Sequence, residues 1–129
     1  MNKILKFILI VFLLVVIDFV WIGIINAESY KKAIKAVQKS ELKIRMIPGL
    51  LVYIALALII IFWIIPTIKS KSFIDAFKNG FMLGALVYAV FDFTNMAIFS
   101  DWTYTISIID TLWGGVLTGL ITYIMVLLD

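Results

Sequence analysis

The chain has 129 residues, 64% hydrophobic and 15% charged, with 11 Lys and Arg against 8 Asp and Glu and a net charge of +3. Soluble domains are about 45–50% apolar and about 25% charged, and so small a chain buries too little surface to hide the excess from water. A mean hydropathy of +1.16 therefore excludes a soluble enzyme, a nucleic-acid-binding protein and a disordered linker. Neither Cys nor His occurs, which removes disulfides, thiolate nucleophiles, the usual proton shuttle and the usual zinc and haem ligands. No cofactor and no metal site is called for.

A membrane-spanning helix needs about 20 mostly apolar residues. The first such run is Ile4 to Ile25, with Lys6 in its first turn and interrupted further on only by Asp18. Lys3 and Lys6 mark its start, and Ile25-Asn26-Ala27 faintly resembles a signal-peptide cleavage site. The run is too long for a signal core and carries an acid, so a retained helix is expected. The linker Asn26 to Met46 follows, with Lys31, Lys32, Lys35, Lys39, Lys43 and Arg45 against Glu28 and Glu41. Tyr30, Ala33, Ile34 and Val37 recur at helical spacing. That pattern fits either a short interfacial amphipathic helix or a basic loop touching anionic lipid head groups.

The second run, Ile47 to Ile68, has no ionisable acid or base, with Pro48 in its first turn and Pro66 near its end. The third is roughly Lys78 to Phe99, interrupted by Asp92, and the fourth roughly Thr105 to Leu128, interrupted by Asp110. Unsatisfied backbone groups are costly in lipid, so all four runs are predicted to be helices. The short linkers Ser70 to Phe77 and Ser100 to Tyr104 predict antiparallel neighbours. The expected fold is an all-α membrane protein. It is a four-transmembrane-helix antiparallel bundle with a short amphipathic linker helix between helices one and two, forming a single integral membrane domain over 1–129. Orientation is undetermined, because five basic residues on one side face six on the other. Gly80 and Gly84, and Gly115 and Gly119, form G-x-x-x-G pairs that allow close packing within the chain or in a homo-oligomer. Trp63, Trp102 and Tyr104 read as interfacial anchors.

Each aspartate inside a run is a functional candidate, because a charge near the bilayer centre costs at least about 2.5–3.5 kcal/mol. Counted from the run ends, Asp18, Asp92 and Asp110 all lie about 7–11 Å below the same membrane face, the one carrying the basic linker. Tyr53 of the second helix enters that layer. Residues three or four apart share a helix face. Asp18 thus aligns with Trp21, Asp92 with Tyr88 and Asn95, and Asp110 with Ser107 and Trp113. The expectation is one inward-facing polar pocket where the three carboxylates meet. Helices one and four also share the pattern I-D-x-V/L-W-x-G, at Ile17 to Gly23 and Ile109 to Gly115. It is either an internal repeat of the inverted kind or a chance match.

D-x-x-W on helix one, Y-x-x-x-D-x-T-N on helix three and D-x-x-W-G on helix four resemble domain-of-unknown-function family 2177, a group of small predicted membrane proteins. The resemblance covers essentially the whole chain. It implies Asp18 and Trp21; Tyr88, Asp92, Thr94 and Asn95; and Asp110, Trp113 and Gly114 as signature positions. It implies no activity.

Three close carboxylates cannot all remain charged without a proton or cation among them. The leading reading is a proton- or cation-linked transporter or ion pathway. One alternative is a membrane-embedded metal-dependent enzyme acting on a lipid head group; no nucleophile with a base and no paired-aspartate motif supports it. The other is a structural or accessory protein whose acids fix helix packing. The expected surroundings are the lipid bilayer, with anionic head groups at the 26–46 linker.

Overall fold

The computed structural model describes residues 1–129, which form helices and no strands. Helix α1 spans Lys3–Val20. The Asn2 side chain caps it, accepting from the Leu5 N–H at 2.8 Å. The helix continues into a wide π-helical turn, Trp21–Ile25, closed by the Asn26 N–H donating to the Trp21 carbonyl at 2.8 Å. Helix α2, Ala27–Gln38, then occupies the first part of the basic linker and stops at Lys39, whose φ of 63° is left-handed. Its apolar stripe packs Tyr30, Ala33, Ile34 and Val37 against Trp21, Ile22, Met96, Trp102 and Ile106. Lys31, Lys32, Lys35 and Lys39 remain exposed on its other face.

Helix α3, Met46–Ile59, runs on through a second π turn, Ile60–Ile64, into a 3-10 turn, Ile65–Thr67. Pro66 lies in that closing turn, where its missing N–H breaks no helical bond. Helix α4 spans Phe73–Ile98 and so begins five residues before the expected Lys78. Local capping sets the start. The Ser72 hydroxyl accepts from the Asp75 N–H at 3.2 Å, and the Asp75 carboxylate accepts from the Lys69 and Ser70 N–H groups at 3.1 and 3.2 Å. Helix α5 spans Tyr104–Leu128, with the Thr103 hydroxyl accepting from the Ile106 N–H at 3.3 Å.

Four segments, Lys3–Ile25, Met46–Thr67, Phe73–Ile98 and Tyr104–Leu128, are long and apolar enough to cross a membrane. Large apolar side chains such as Phe12, Phe19, Leu86 and Val90 project outward from them, as a lipid solvent allows. Helix α5 is the central element, with buried residues along its length from Ile106 to Val126. On one side its Leu117, Ile121 and Met125 meet Ile10 and Leu14 of α1, and Leu56, Ala57, Ile60, Ile61 and Ile64 of the α3 segment. On the other side α4 packs in the opposite direction. A Cβ on Gly80 would stand 2.8 Å from both the Gly119 Cα and the Thr118 carbonyl oxygen. Only a missing side chain permits that approach, and the rings of Phe77 and Phe81 fill the space over Gly119 and Gly115. Both G-x-x-x-G pairs are thus used within the chain.

Candidate intramembrane acid site

Polar groups collect where α1, α3, α4 and α5 approach α2. Asp18, Asp92 and Asp110 are 4%, 0% and 5% exposed, so each sits inside the protein and not on its lipid face. No basic side chain pairs with them. The ion pairs of the chain lie at its ends and linkers: Lys6 with Asp129, the Met1 amine with Asp129, Lys35 with Glu41 and Lys39 with Asp101.

Asp18 is fully engaged. Its Oδ2 accepts from the Tyr53 hydroxyl at 2.5 Å and its Oδ1 from the Trp113 indole Nε1 at 2.8 Å, tying α1 to α3 and α5. Asp110 accepts at Oδ1 from the Tyr30 hydroxyl at 2.7 Å, and that hydroxyl accepts in turn from the Trp21 Nε1 at 3.1 Å. The two indoles stack, with centroids 4.7 Å apart and planes inclined by 12°. The Asp-x-x-Trp segments are therefore cross-linked. Trp113 of α5 donates to the acid of α1, and Trp21 at the end of α1 reaches the acid of α5 through one tyrosine.

Asp92 is satisfied least. Its Oδ2 accepts from the Thr111 hydroxyl only at the long distance of 3.5 Å. Its Oδ1 is buried without a partner. Both α5 residues that reach Asp92, Ser107 and Thr111, are near neighbours of Asp110 on that helix. The Trp102 indole N–H is likewise buried without a partner. Trp102 is thus an interior residue, 6% exposed, and not the interfacial anchor its place near a run end suggested. Packing with Tyr30 and Ile106 draws it inward.

The remaining expected residues divide. Tyr88 packs against the main core, its ring laid over Gly114, where a Cβ would collide with it. The Ser107 hydroxyl donates to the Thr103 carbonyl at 2.9 Å and, at 3.5 Å, to the Asp92 carbonyl; it serves backbone and no carboxylate. Asn95 is half-buried, and its backbone carbonyl accepts from the Phe99 N–H at 2.7 Å. Thr94 is exposed. Two residues past Asp92 is about 200° around an α-helix, so Thr94 points away from the acids. No group of three acids is close enough to hold a metal ion. Asp18 is held by Tyr53 and Trp113, while Asp92 faces α5 at Ser107 and Thr111, on either side of Asp110.

The family described as "Predicted membrane protein (DUF2177)" matches residues 3–127. The chain belongs to this family. The match takes in all four apolar helices and α2, and this DUF2177 chain is a membrane protein. No curated protein and no solved structure matches it.

The site of this DUF2177 protein includes three residues that sequence reasoning did not assign to it: Tyr30, Trp102 and Thr111. Tyr30 was read as part of the apolar stripe of the linker. A tyrosine starting an amphipathic helix only nine residues after Trp21 was the available signal. Burial, and then the negative Asp110, push its phenol above the ordinary tyrosine value. It therefore remains an O–H donor across the physiological pH range.

Proposed function

We propose that this protein is a proton- or cation-linked transporter or ion pathway whose exchange site is the Asp92–Asp110 pair. The observation that carries the reading is the buried, unpartnered Oδ1 of Asp92, whose other oxygen accepts from Thr111, the residue after Asp110, with no basic side chain in contact. Two like charges in a low-dielectric interior repel strongly, and a proton or bound cation between them relieves that repulsion. An acceptor atom without a fixed donor is free to take up such a species. Asp18, with both oxygens engaged, is read as a structural partner of Tyr53 and Trp113. Tyr88 is read as a lining group.

The surrounding architecture is read as one integral membrane domain, an antiparallel four-helix bundle with α2 lying in the head-group region. The exposed lysines of α2 are suited to anionic lipid, at about 1 kcal/mol per basic residue near such a surface. The crossed pairing of Asp18 with Trp113 and of Asp110 with Trp21 through Tyr30 favours reading the shared Asp-x-x-Trp pattern as a repeat. A chain of four helices has a narrow interior, and a homo-oligomer would widen the path.

The test is flux of protons and of Na⁺ or K⁺ into liposomes carrying the purified protein, under an imposed pH or ion gradient. Wild-type protein should conduct and Asp92→Asn should not, although both fold. No flux of any of these ions above that of empty liposomes would remove the reading.

A further inference from the structure

A cleft of about 270 Å³ opens between α2 and the first turns of α5. Its walls include Ser29, Lys32, Asp101, Thr103 and Thr105, together with Ile109, the residue before Asp110. A water molecule occupies about 30 Å³ of liquid volume and needs polar partners; this cleft has room and partners for several. Tyr30 links α2, one wall of the cleft, to the acids. It is only 8% exposed, lies beside Ser29 on α2, and holds Asp110 through its hydroxyl at 2.7 Å. Helix α2 is tied down by few bonds beyond its apolar stripe: that hydroxyl, the Trp21 indole, and the exposed Lys39–Asp101 pair at 3.1 Å.

We infer that this cleft is the water-filled entrance by which protons reach Asp110 and then Asp92, and that Tyr30 is the positioning residue that closes it. The inference rests on the acid-pair reading above and gives it a side of access and a gate. While the Tyr30 hydroxyl donates to Asp110, one oxygen of that carboxyl is occupied by a fixed donor. When the hydroxyl turns away, water takes its place and a proton can pass along it to the carboxyl pair. The proton arriving at Asp110 is matched by one leaving the water chain, so no other reactant is needed.

The chain has no Cys, so one introduced cysteine is the sole thiol. Thr105→Cys and Ile109→Cys are placed separately in the full-length protein in liposomes and treated with a membrane-impermeant thiosulfonate. Ile108→Cys, 50% exposed on the outward face of the same helix, is the comparator. The reagent needs thiolate, which forms in water and not in hydrocarbon. Thr105→Cys and Ile109→Cys should react from one side of the membrane, and Ile108→Cys should not. Tyr30→Phe keeps the ring and its packing but removes the bond to Asp110. In the Ile109→Cys background it should speed labelling about tenfold, the worth of one hydrogen bond to a carboxylate, and leave Ile108→Cys unreactive. Ile109→Cys as inert as Ile108→Cys would overturn the entrance. An unchanged rate with Tyr30→Phe, or a rise at both positions, would overturn the gate. Labelling is read without flux, so an inactive protein with the expected labelling would sink the acid-pair reading and leave the entrance standing.

Discussion

Asp18 and Asp92 are both buried carboxyl groups, and replacing them should act on stability in opposite ways. Asp18→Leu removes the acceptor of two donors, the Tyr53 hydroxyl at 2.5 Å and the Trp113 indole at 2.8 Å. A buried donor left unpaired costs about 1–3 kcal/mol. Tyr53 and Trp113 are each only half-buried, which favours the lower half of that range, and loss of the buried charge offsets part of it. The sum is a destabilisation of about 2–3 kcal/mol. Asp92→Asn gives up one long bond of 3.5 Å to Thr111 and removes a charge that no basic group neutralises. It should be neutral within about 1 kcal/mol, or stabilising. The assay is reversible unfolding in mixed micelles, followed by circular dichroism as the denaturing detergent fraction rises. Asp92→Asn losing as much stability as Asp18→Leu would refute the division into an engaged and an unengaged acid. The same variant preparations serve the flux assay, where Asp92→Asn should be folded and silent.

Three further outcomes are expected. Gly80→Ala puts a methyl 2.8 Å from the α5 backbone, against about 3.5–4.0 Å for a relaxed carbon contact. The helices must part, at about 1–3 kcal/mol, whereas Gly49→Ala, with nothing within 4 Å of the new Cβ, should be neutral or stabilising in the same unfolding assay. Alkali should destabilise the protein through Tyr30. Its phenol is held above its ordinary value in the folded state, so the unfolded chain ionises first and stability falls above about pH 10, by up to about 1.4 kcal/mol per pH unit; Tyr30→Phe should lessen that slope. Single cysteines at Ser40 and Lys71 should label from opposite sides of the membrane, and labelling from the same side would contradict the four-span arrangement.

The four long helices were legible because lipid imposes a blunt requirement on sequence, an apolar stretch of fixed length. Their ends were less so. The start of α4 is set by Ser72 and Asp75, whose capping bonds do not register in a count of apolar residues. Within the site, counting depth from the run ends put Asp18, Asp92 and Asp110 in a common layer. Depth carries no information about direction around the helix axis, and Thr94, implied only by the family resemblance, is exposed two residues past Asp92. Tyr30 escaped for a different reason. It lies outside every span, and only the turn between α1 and α2 decides that its hydroxyl folds back onto Asp110. The crossed pairing of the indoles likewise depends on how α1 and α5 are rotated against each other, which the spacing of each helix alone does not specify.

The wide turn Trp21–Ile25 acts as a ruler. In an α-helix the Asn26 N–H would reach back four residues; here it reaches back five, to Trp21, so the turn holds one residue more than the regular helix takes. Each α-helical residue advances the chain by about 100° and 1.5 Å. Deleting Gly23 would let α1 run on as an ordinary helix, leaving Asp18 and Trp21 where they are. The residues after the turn would then keep nearly their present phase, because only the extra residue is lost. Deleting a residue between Asn26 and Tyr30 instead would swing the Tyr30 hydroxyl by about 100° and take it off its line to Asp110. The number of residues between the turn and Tyr30 is therefore as much a part of the site as their chemistry.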